Sequence, residues 1–339
     1  MKLIQLAGSL LVALAAATAP AFAANVTKLR MQTHYGPETV SGKMAKQFID
    51  DVQVMSGGRI EIEMFWSSSV VKSVEGFDAA ASGILDGEMH GAAYLTGKNP
   101  AFQFIGDPMG AYDTPWQQYA WLYHGGGFDK ANKLYHKYGM ELIGWWLPGP
   151  ESLVSSKALR GPADLKDWKF RSPPGLETEI FANLGSKPIV MDFTEVFTAI
   201  ETKIIDGADA SALANNKAQG LYDLAKHATF PGFHSMPSDH VTIRKDIWDG
   251  MPKDLQRIIT VAAHKLGFQN TMLFEVLNND AAAALKAGGV TMHAWSNDDR
   301  IAFRKAALKA WDGWAAKTPE AKELAESHRE FQKRMGLID

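Results

Sequence analysis

Apolar and polar positions along the chain follow two periods. Residues 59–65, Arg-Ile-Glu-Ile-Glu-Met-Phe, alternate through Met64, as a strand with one buried face does. Residues 26–33 alternate less regularly through Val26, Leu29 and Met31 and predict a second strand, turned by Gly36-Pro37. Between them Met44, Phe48, Val52 and Met55 recur every three or four residues, so 39–55 reads as a helix that Gly57-Gly58 stops. Strand, helix and strand with short links predict an α/β domain with parallel pairing.

The same reading continues along the chain. Residues 128–138 predict a helix and 140–146 a strand, interrupted by Pro148-Gly149-Pro150. A short strand, 168–171, is broken by Pro173 and Pro174, and Leu176, Ile180, Phe181 and Leu184 then recur at helical spacing up to Gly185. A strand at 188–191 and a helix from Thr194 follow. Residues 254–285 are the longest periodic segment, carrying Leu255, Ile258, Ile259, Ala262, Leu266, Met272 and Val276 up to Gly288-Gly289. As one helix it would run about 48 Å, more than one lobe needs, so it either acts as a spine or breaks near Gly267. Ser296 caps a helix through Trp314, and Thr318-Pro319 starts the last one, to Met335.

An internal echo bears on architecture. Phe77 to Gly87 and Phe197 to Gly207 both read Phe-x-Ala-x-x-x-x-Ile-(Leu/Ile)-Asp-Gly, and each copy leads into a strand of small residues. Two similar α/β lobes are the expectation.

The address changes the picture more than the composition does. Lys2 is the only early charge, a mostly apolar run follows from Leu3 to Ala19, and Ala21-Phe22-Ala23 fits a small-x-small cleavage site. This predicts a secretory signal peptide cut after Ala23 and a periplasmic protein. With zero Cys the chain has no disulfide, thiol nucleophile or thiolate metal site, so packing alone must hold the exported protein together. A net charge of −3 without a basic cluster argues against nucleic acid as a partner.

No His-Glu-x-x-His, Gly-x-Ser-x-Gly, Walker-type loop or Gly-x-Gly-x-x-Gly occurs. The ten His are scattered, and His234 and His240 share one irregular stretch at a spacing too loose to specify metal. What remains is Arg171 at a strand end, next to a helix N-terminus. A guanidinium fork beside unpaired backbone N–H groups would hold a carboxylate or other oxyanion. A surface Arg paired with a nearby acid is the competing reading. Glu195 is either a first-turn carboxylate or a partner that orients Arg171. The aromatic residues near the lobe crossings, Trp66, Tyr94, Trp145, Trp146 and Phe233, either line a cleft or pack the core.

The stretch Leu165-Lys-Asp-Trp-Lys-Phe-Arg-Ser-Pro173, with Gly185-Ser-Lys-Pro188, Phe193-Thr-Glu-Val-Phe-Thr-Ala-Ile200 and Ile205-Asp-Gly207, resembles the extracytoplasmic solute-binding proteins of TRAP transporters. The likeness covers essentially everything after the leader; Asp167 stands where that family usually has Gly. It implies an α/β, two-lobe periplasmic-binding-protein-like fold with crossing strands and a long helix spanning both lobes. Lobe I would hold 24–147 and about 235–285, lobe II 148–234 and about 286–339, with 254–285 spanning both. It implies no enzyme but capture of a small organic anion, a mono- or dicarboxylate such as a 2-oxo or hydroxy acid, for delivery to TRAP membrane subunits. A sulfonate, another importer class and an exported enzyme are the alternatives, and a homodimer, found in some branches, is left open.

The resemblance also implies site residues. The family's carboxylate-gripping Arg falls on Arg171. After Asp206-Gly207 the chain reads Ala208-Asp209-Ala210-Ser211, without the Asn or aromatic residue that would carry over a known ligand at Ala210. Branches that bridge ligand and protein by calcium or sodium place an acid in the loop equivalent to Phe233-His234-Ser235. The expected ligand contacts are therefore Arg171, Asp209, His234, Phe233, Tyr94, Trp146 and Trp66, with Asp209 and His234 as candidates for a bridging cation and no other cofactor.

Overall fold

The computed structural model describes residues 26–338, so the leader and the cleavage point after Ala23 lie outside the described residues. Eleven strands follow one another: β1 (Thr27–Thr33), β2 (Ile60–Phe65), β3 (Gly87–Gly91), β4 (Met140–Trp146), β5 (Val154–Ser155), β6 (Lys169–Ser172), β7 (Lys187–Val190), β8 (Gly207–Ala208), β9 (His227–Thr229), β10 (Asp239–Arg244) and β11 (Thr291–His293). They form two sheets, in the orders β2-β1-β3-β10-β4 and β11-β9-β5-β8-β6-β7. The expected parallel pairing is present: β1 lies parallel to β2 with Leu29 opposite Ile62. β10 enters the first sheet antiparallel to β3 and β4 although it follows strands of the second sheet. The chain thus crosses between lobes after β4 and again before β10.

The repeated Asp-Gly has a physical basis in both lobes. A Cβ on Gly87 would sit 2.3 Å from the Thr242 carbonyl oxygen, and one on Gly207 2.1 Å from that of Val154. Only glycine lets the neighbouring strand come that close. The Asp serves the strand on the other side: Asp86 accepts from Arg30 N–H at 2.9 Å and Asp206 from Lys169 N–H at 3.2 Å. The two motifs are the same joint, built once per sheet.

Helix Lys253–Ala287 is continuous over 35 residues and packs on β4 and helix Val40–Met55 as well as on helix Leu213–Ala218 and β11. It is the spine. Gly267 does not break it; a Cβ there would lie 2.5 Å from the Trp145 carbonyl oxygen, and the Tyr119 hydroxyl donates to the Gly267 carbonyl at 3.1 Å. Glycine is present so that β4 can seat against the helix. Gly267→Ala is therefore expected to destabilise by about 1–3 kcal/mol through overpacking, despite alanine's better helix propensity. A thermal melt showing equal or higher stability would contradict this account of the contact.

One boundary differs from the sequence reading. Residues 286–339 do not stay with the second lobe, because the last helix, Pro319–Arg334, packs on helices Phe102–Gly106 and Gly127–His136 of the first. Helix Asn297–Ala315 packs on Leu176–Asn183 of the second lobe and on the last helix, so the C-terminal pair ties the lobes together on the outside. The interior holds two buried clusters, and both draw on both lobes. One contains Phe102 and Trp168, the other Phe48 and Phe193.

Candidate ligand-binding cleft

β6 aims its residues to two faces. Trp168 and Phe170 stack at 4.2 Å and point into the core, and the alternation turns Arg171 the other way, towards the gap between the sheets. Arg171 is only 2% exposed. Its Nε donates to the Met191 carbonyl at 3.2 Å, Nη1 to the Asp209 carbonyl at 2.6 Å and Nη2 to the Tyr94 hydroxyl at 3.1 Å. Asp209 returns a backbone bond, its N–H donating to the Arg171 carbonyl at 3.0 Å. A guanidinium has five N–H donors. Three are used, and one on each terminal nitrogen has no partner among the described residues. Those two are left for a ligand.

Arg171 lines a cavity of about 40 Å³ together with His34, Tyr35, Tyr94, Asp107, Glu151 and Asp239, among others. Residues of both lobes line it, and the lobes are locked around it. Tyr94 reaches Arg171 from the first lobe, Ser73 N–H donates to Asp192 at 2.9 Å, and Asn215 donates to the Ser41 hydroxyl at 2.9 Å.

Behind Arg171 lies a buried set of acids. Asp209, just past β8, accepts from His234 Nε2 at 2.8 Å, and both side chains are fully shielded. Glu151, Asp209 and His234 place donor atoms within 4.8 Å of one another. Asp209 Oδ1 and His234 Nδ1 have no hydrogen-bond partner among the described residues. Ser235 Oγ bonds Asp107 Oδ2 at 2.7 Å and Glu151 Oε2 at 3.0 Å. A hydroxyl carries a single proton, so this bridge needs a proton on one of the two carboxyls.

The electrostatics follow from burial. Desolvation, with the charge of Asp209 added, pushes the Glu151 and Glu177 carboxyls well above the ordinary range. Desolvation raises Asp107 and Asp239 to about 7 each. Asp209 is the exception. Burial opposes its ionisation too, but the charge and hydrogen bond of His234, with hydrogen bonds from the Glu177 and Glu151 carboxyls, outweigh it and hold Asp209 down at about 2.

Of the residues expected from sequence, Arg171, Tyr94, Asp209 and His234 come together here, the first two at the cavity wall and the last two behind it. The other three do not. Trp146 is fully buried in a core cluster, edge-on to Tyr35 at 5.6 Å. Trp66 packs, half-buried, against that same cluster. Phe233 stacks on Trp295 at 4.2 Å and lines a separate crevice with Arg300 and Arg304. The expected free helix N-terminus is also absent. Leu176 N–H donates to Gln103 Oε1 at 2.8 Å, and Glu177 fills the first turn, accepting from Ser172 Oγ at 3.1 Å. Glu195 pairs with Lys72 at the surface, 3.4 Å away, and does not orient Arg171. His240 belongs to a buried relay, bonded to Glu88 at 2.7 Å and to Tyr135 at 2.6 Å.

Sequence reasoning missed His34, Tyr35, Asp107, Glu151, Glu177, Ser235 and Asp239. Glu151 gave one usable signal, a carboxylate directly after Pro148-Gly149-Pro150 in a segment that crosses between lobes.

Residues 31–318 match the family described as DctP, bacterial extracellular solute-binding protein, family 7. The chain belongs to this family. A relative of the family 7 protein is the monocarboxylate 2-oxoacid-binding periplasmic protein of Nostoc sp., 27% identical over 315 residues, which are 89% of this chain and 81% of that protein. Among solved structures, a TRAP periplasmic solute-binding protein from Rhodobacter sphaeroides, in an apo open state, is 32% identical with a TM-score of 0.73, over 91% of this chain and 99% of that one. A TRAP transporter solute-binding protein from Bordetella bronchiseptica, a dimer with calcium and picolinate in one site, is 22% identical with a TM-score of 0.85, over 92% and 93% of the two chains.

Proposed function

We propose that this chain is the periplasmic capture subunit of a TRAP-type transporter, exported by its leader with cleavage after Ala23, and that it closes on a small carboxylic acid for delivery to the membrane subunits. The observation that carries this reading is Arg171, buried between the lobes at the cavity wall with two N–H groups that no described residue uses. A carboxylate accepts both bonds in parallel, and burial makes the pair strong. Arg171 stands on the second lobe and its neighbour Tyr94 on the first. A solute seated against both makes its full set of contacts only when the lobes are shut, so binding shifts the population to the closed form. The name of the Nostoc relative supports 2-oxo acids as the first solutes to try.

A bridging cation, as in the Bordetella structure, would be held here by Glu151, Asp209 and His234. The carboxylate oxygens suit a hard ion such as calcium or sodium, and Asp209 Oδ1, which no N–H or hydroxyl reaches among the described residues, is an atom such an ion would complete in place of the Glu151 and Glu177 protons. The loop at 233–235 offers an imidazole and a hydroxyl in place of a further acid. When bound, the ion would add positive charge to this buried set and offset the crowded acids.

A thermal-shift panel tests both parts: 2-oxo acids, hydroxy acids, amino acids, dicarboxylates and sulfonates, each with calcium and with chelator. A solute at a hundred times its Kd adds about 2.7 kcal/mol, expected as a rise of a few degrees in Tm. Chelation is expected to weaken binding at least tenfold, and unchanged affinity in chelator removes the ion. A folded protein that no acid stabilises would sink the transport reading.

A further inference from the structure

We infer that the solute carries a cationic nitrogen as well as a carboxylate, and that Asp239 receives it. This rests on the carboxylate reading of Arg171 and narrows it to zwitterions. Asp239 opens β10, in the first lobe, and is 3% exposed at the wall of the cavity that Arg171 faces from the second lobe. The Tyr35 hydroxyl donates to its Oδ2 at 2.8 Å, while Oδ1 receives no donor among the described residues. Nor does Asp239 form an ion pair among them. The nearby imidazole of His90 is committed to Glu88, at 2.7 Å.

A buried carboxylate without a partner charge is costly, and such groups are normally paired. Burial pushes Asp239 up to about 7, as expected of a carboxylate whose counter-charge is missing. A plain anion would satisfy Arg171 and add a second negative charge near Asp239. A zwitterion satisfies both, one end per lobe. The rings of Tyr35 and Tyr94 also line the cavity, and aromatic faces attract an ammonium group. Asp239 is not one of the three residues that could hold a metal ion, so the two positive charges would have separate places. The narrow cavity suits a small solute: an amino acid or its N-methylated form.

Titration calorimetry on the mature protein in chelator, then in calcium, would compare solutes of matched frame: alanine and trimethylglycine against lactate and pyruvate. At least one zwitterion is expected to bind tenfold or more tightly than both nitrogen-free acids. Asp239→Asn should weaken that zwitterion tenfold or more and leave lactate unchanged or tighter. Lactate or pyruvate outcompeting both zwitterions in either buffer would overturn the inference and leave the Arg171 reading standing. No binding by any of the four acids would overturn both. A zwitterion preference undiminished in Asp239→Asn would remove Asp239 from the site. Should that variant not fold, the wild-type ranking of alanine against lactate decides alone.

Discussion

Arg171→Ala is expected to raise the solute Kd by a factor of about a hundred or more. The guanidinium is buried, and the solute carboxylate it faces would be shut in with it. Removing one partner of such a pair leaves the other desolvated and uncompensated, at a cost of about 3–5 kcal/mol. At about 1.4 kcal/mol per factor of ten, this means two to three decades in affinity. Stability should fall as well, because Arg171 also ties Met191 and Asp209 carbonyls to β6 and faces Asp209 and Glu177. Each lost hydrogen bond is worth about 1 kcal/mol. Arg171→Lys separates the two effects: it keeps the charge and loses the fork. Binding should weaken at least tenfold with a smaller loss of Tm. Calorimetry well below each variant's Tm is the check, and wild-type affinity in a folded Ala variant would end the anion-fork argument.

Arg171 could be found from sequence because its local grammar is complete. A four-residue strand with inward Phe170, the buried Trp168 just before it, a Pro-Pro stop and a following helix fix which way it faces without any knowledge of the rest. The long helix and the paired Asp-Gly joints were legible for the same reason: their signals lie within one segment each. Asp107, Glu151 and Asp239 belong to three segments that meet only because the chain crosses between lobes twice. Taken singly, each looks like a surface acid. The tryptophans failed for a different cause. Trp145 and Trp146 are adjacent in β4, so alternation sends them to opposite faces, and both faces of this sheet are covered. Aromatic character alone does not separate a cleft wall from a core. The unexpected filling of the helix N-terminus by Gln103 and Glu177 is likewise a contact made across the lobes or within a buried turn, with no periodic trace.

His234→Gln is expected to remove about 3–5 kcal/mol of stability at neutral pH, the largest stability effect of any single change discussed here. His234 and Asp209 form a fully buried pair between β8 and the second crossing, enclosed by Phe181, Phe233 and Phe303. Glu151 and Glu177 crowd the same carboxylate. Without the imidazole, three acids would share one dry site with only Arg171 nearby. The pH dependence identifies the cause. In the wild type Asp209 is held at about 2, below its ordinary 3.8, so it binds fewer protons folded than unfolded. Its contribution is present above about pH 4 and is lost as pH falls towards 2. In the variant the largest opposition to burial is gone, only the hydrogen bonds of Glu177 and Glu151 remain against it, and the carboxyl rises. The folded form then holds the extra proton, and stability falls as pH climbs through neutrality. Asp239, at about 7 and untouched by His234, gives the two curves a shared decline between about pH 4 and 7, while Asp107, which the His234 charge helps hold down, rises further in the variant and adds to the difference. The stability gap between wild type and His234→Gln should therefore widen steadily from pH 4 to pH 8. Denaturant melts across that range measure it. The double variant Asp209→Asn/His234→Gln, which replaces the ion pair with two amides, should recover much of the loss and flatten the gap. A gap that stays constant with pH, or a loss under 1 kcal/mol at pH 7, would show that the pair is ordinary packing and that the acids behind Arg171 are neutralised by something other than His234.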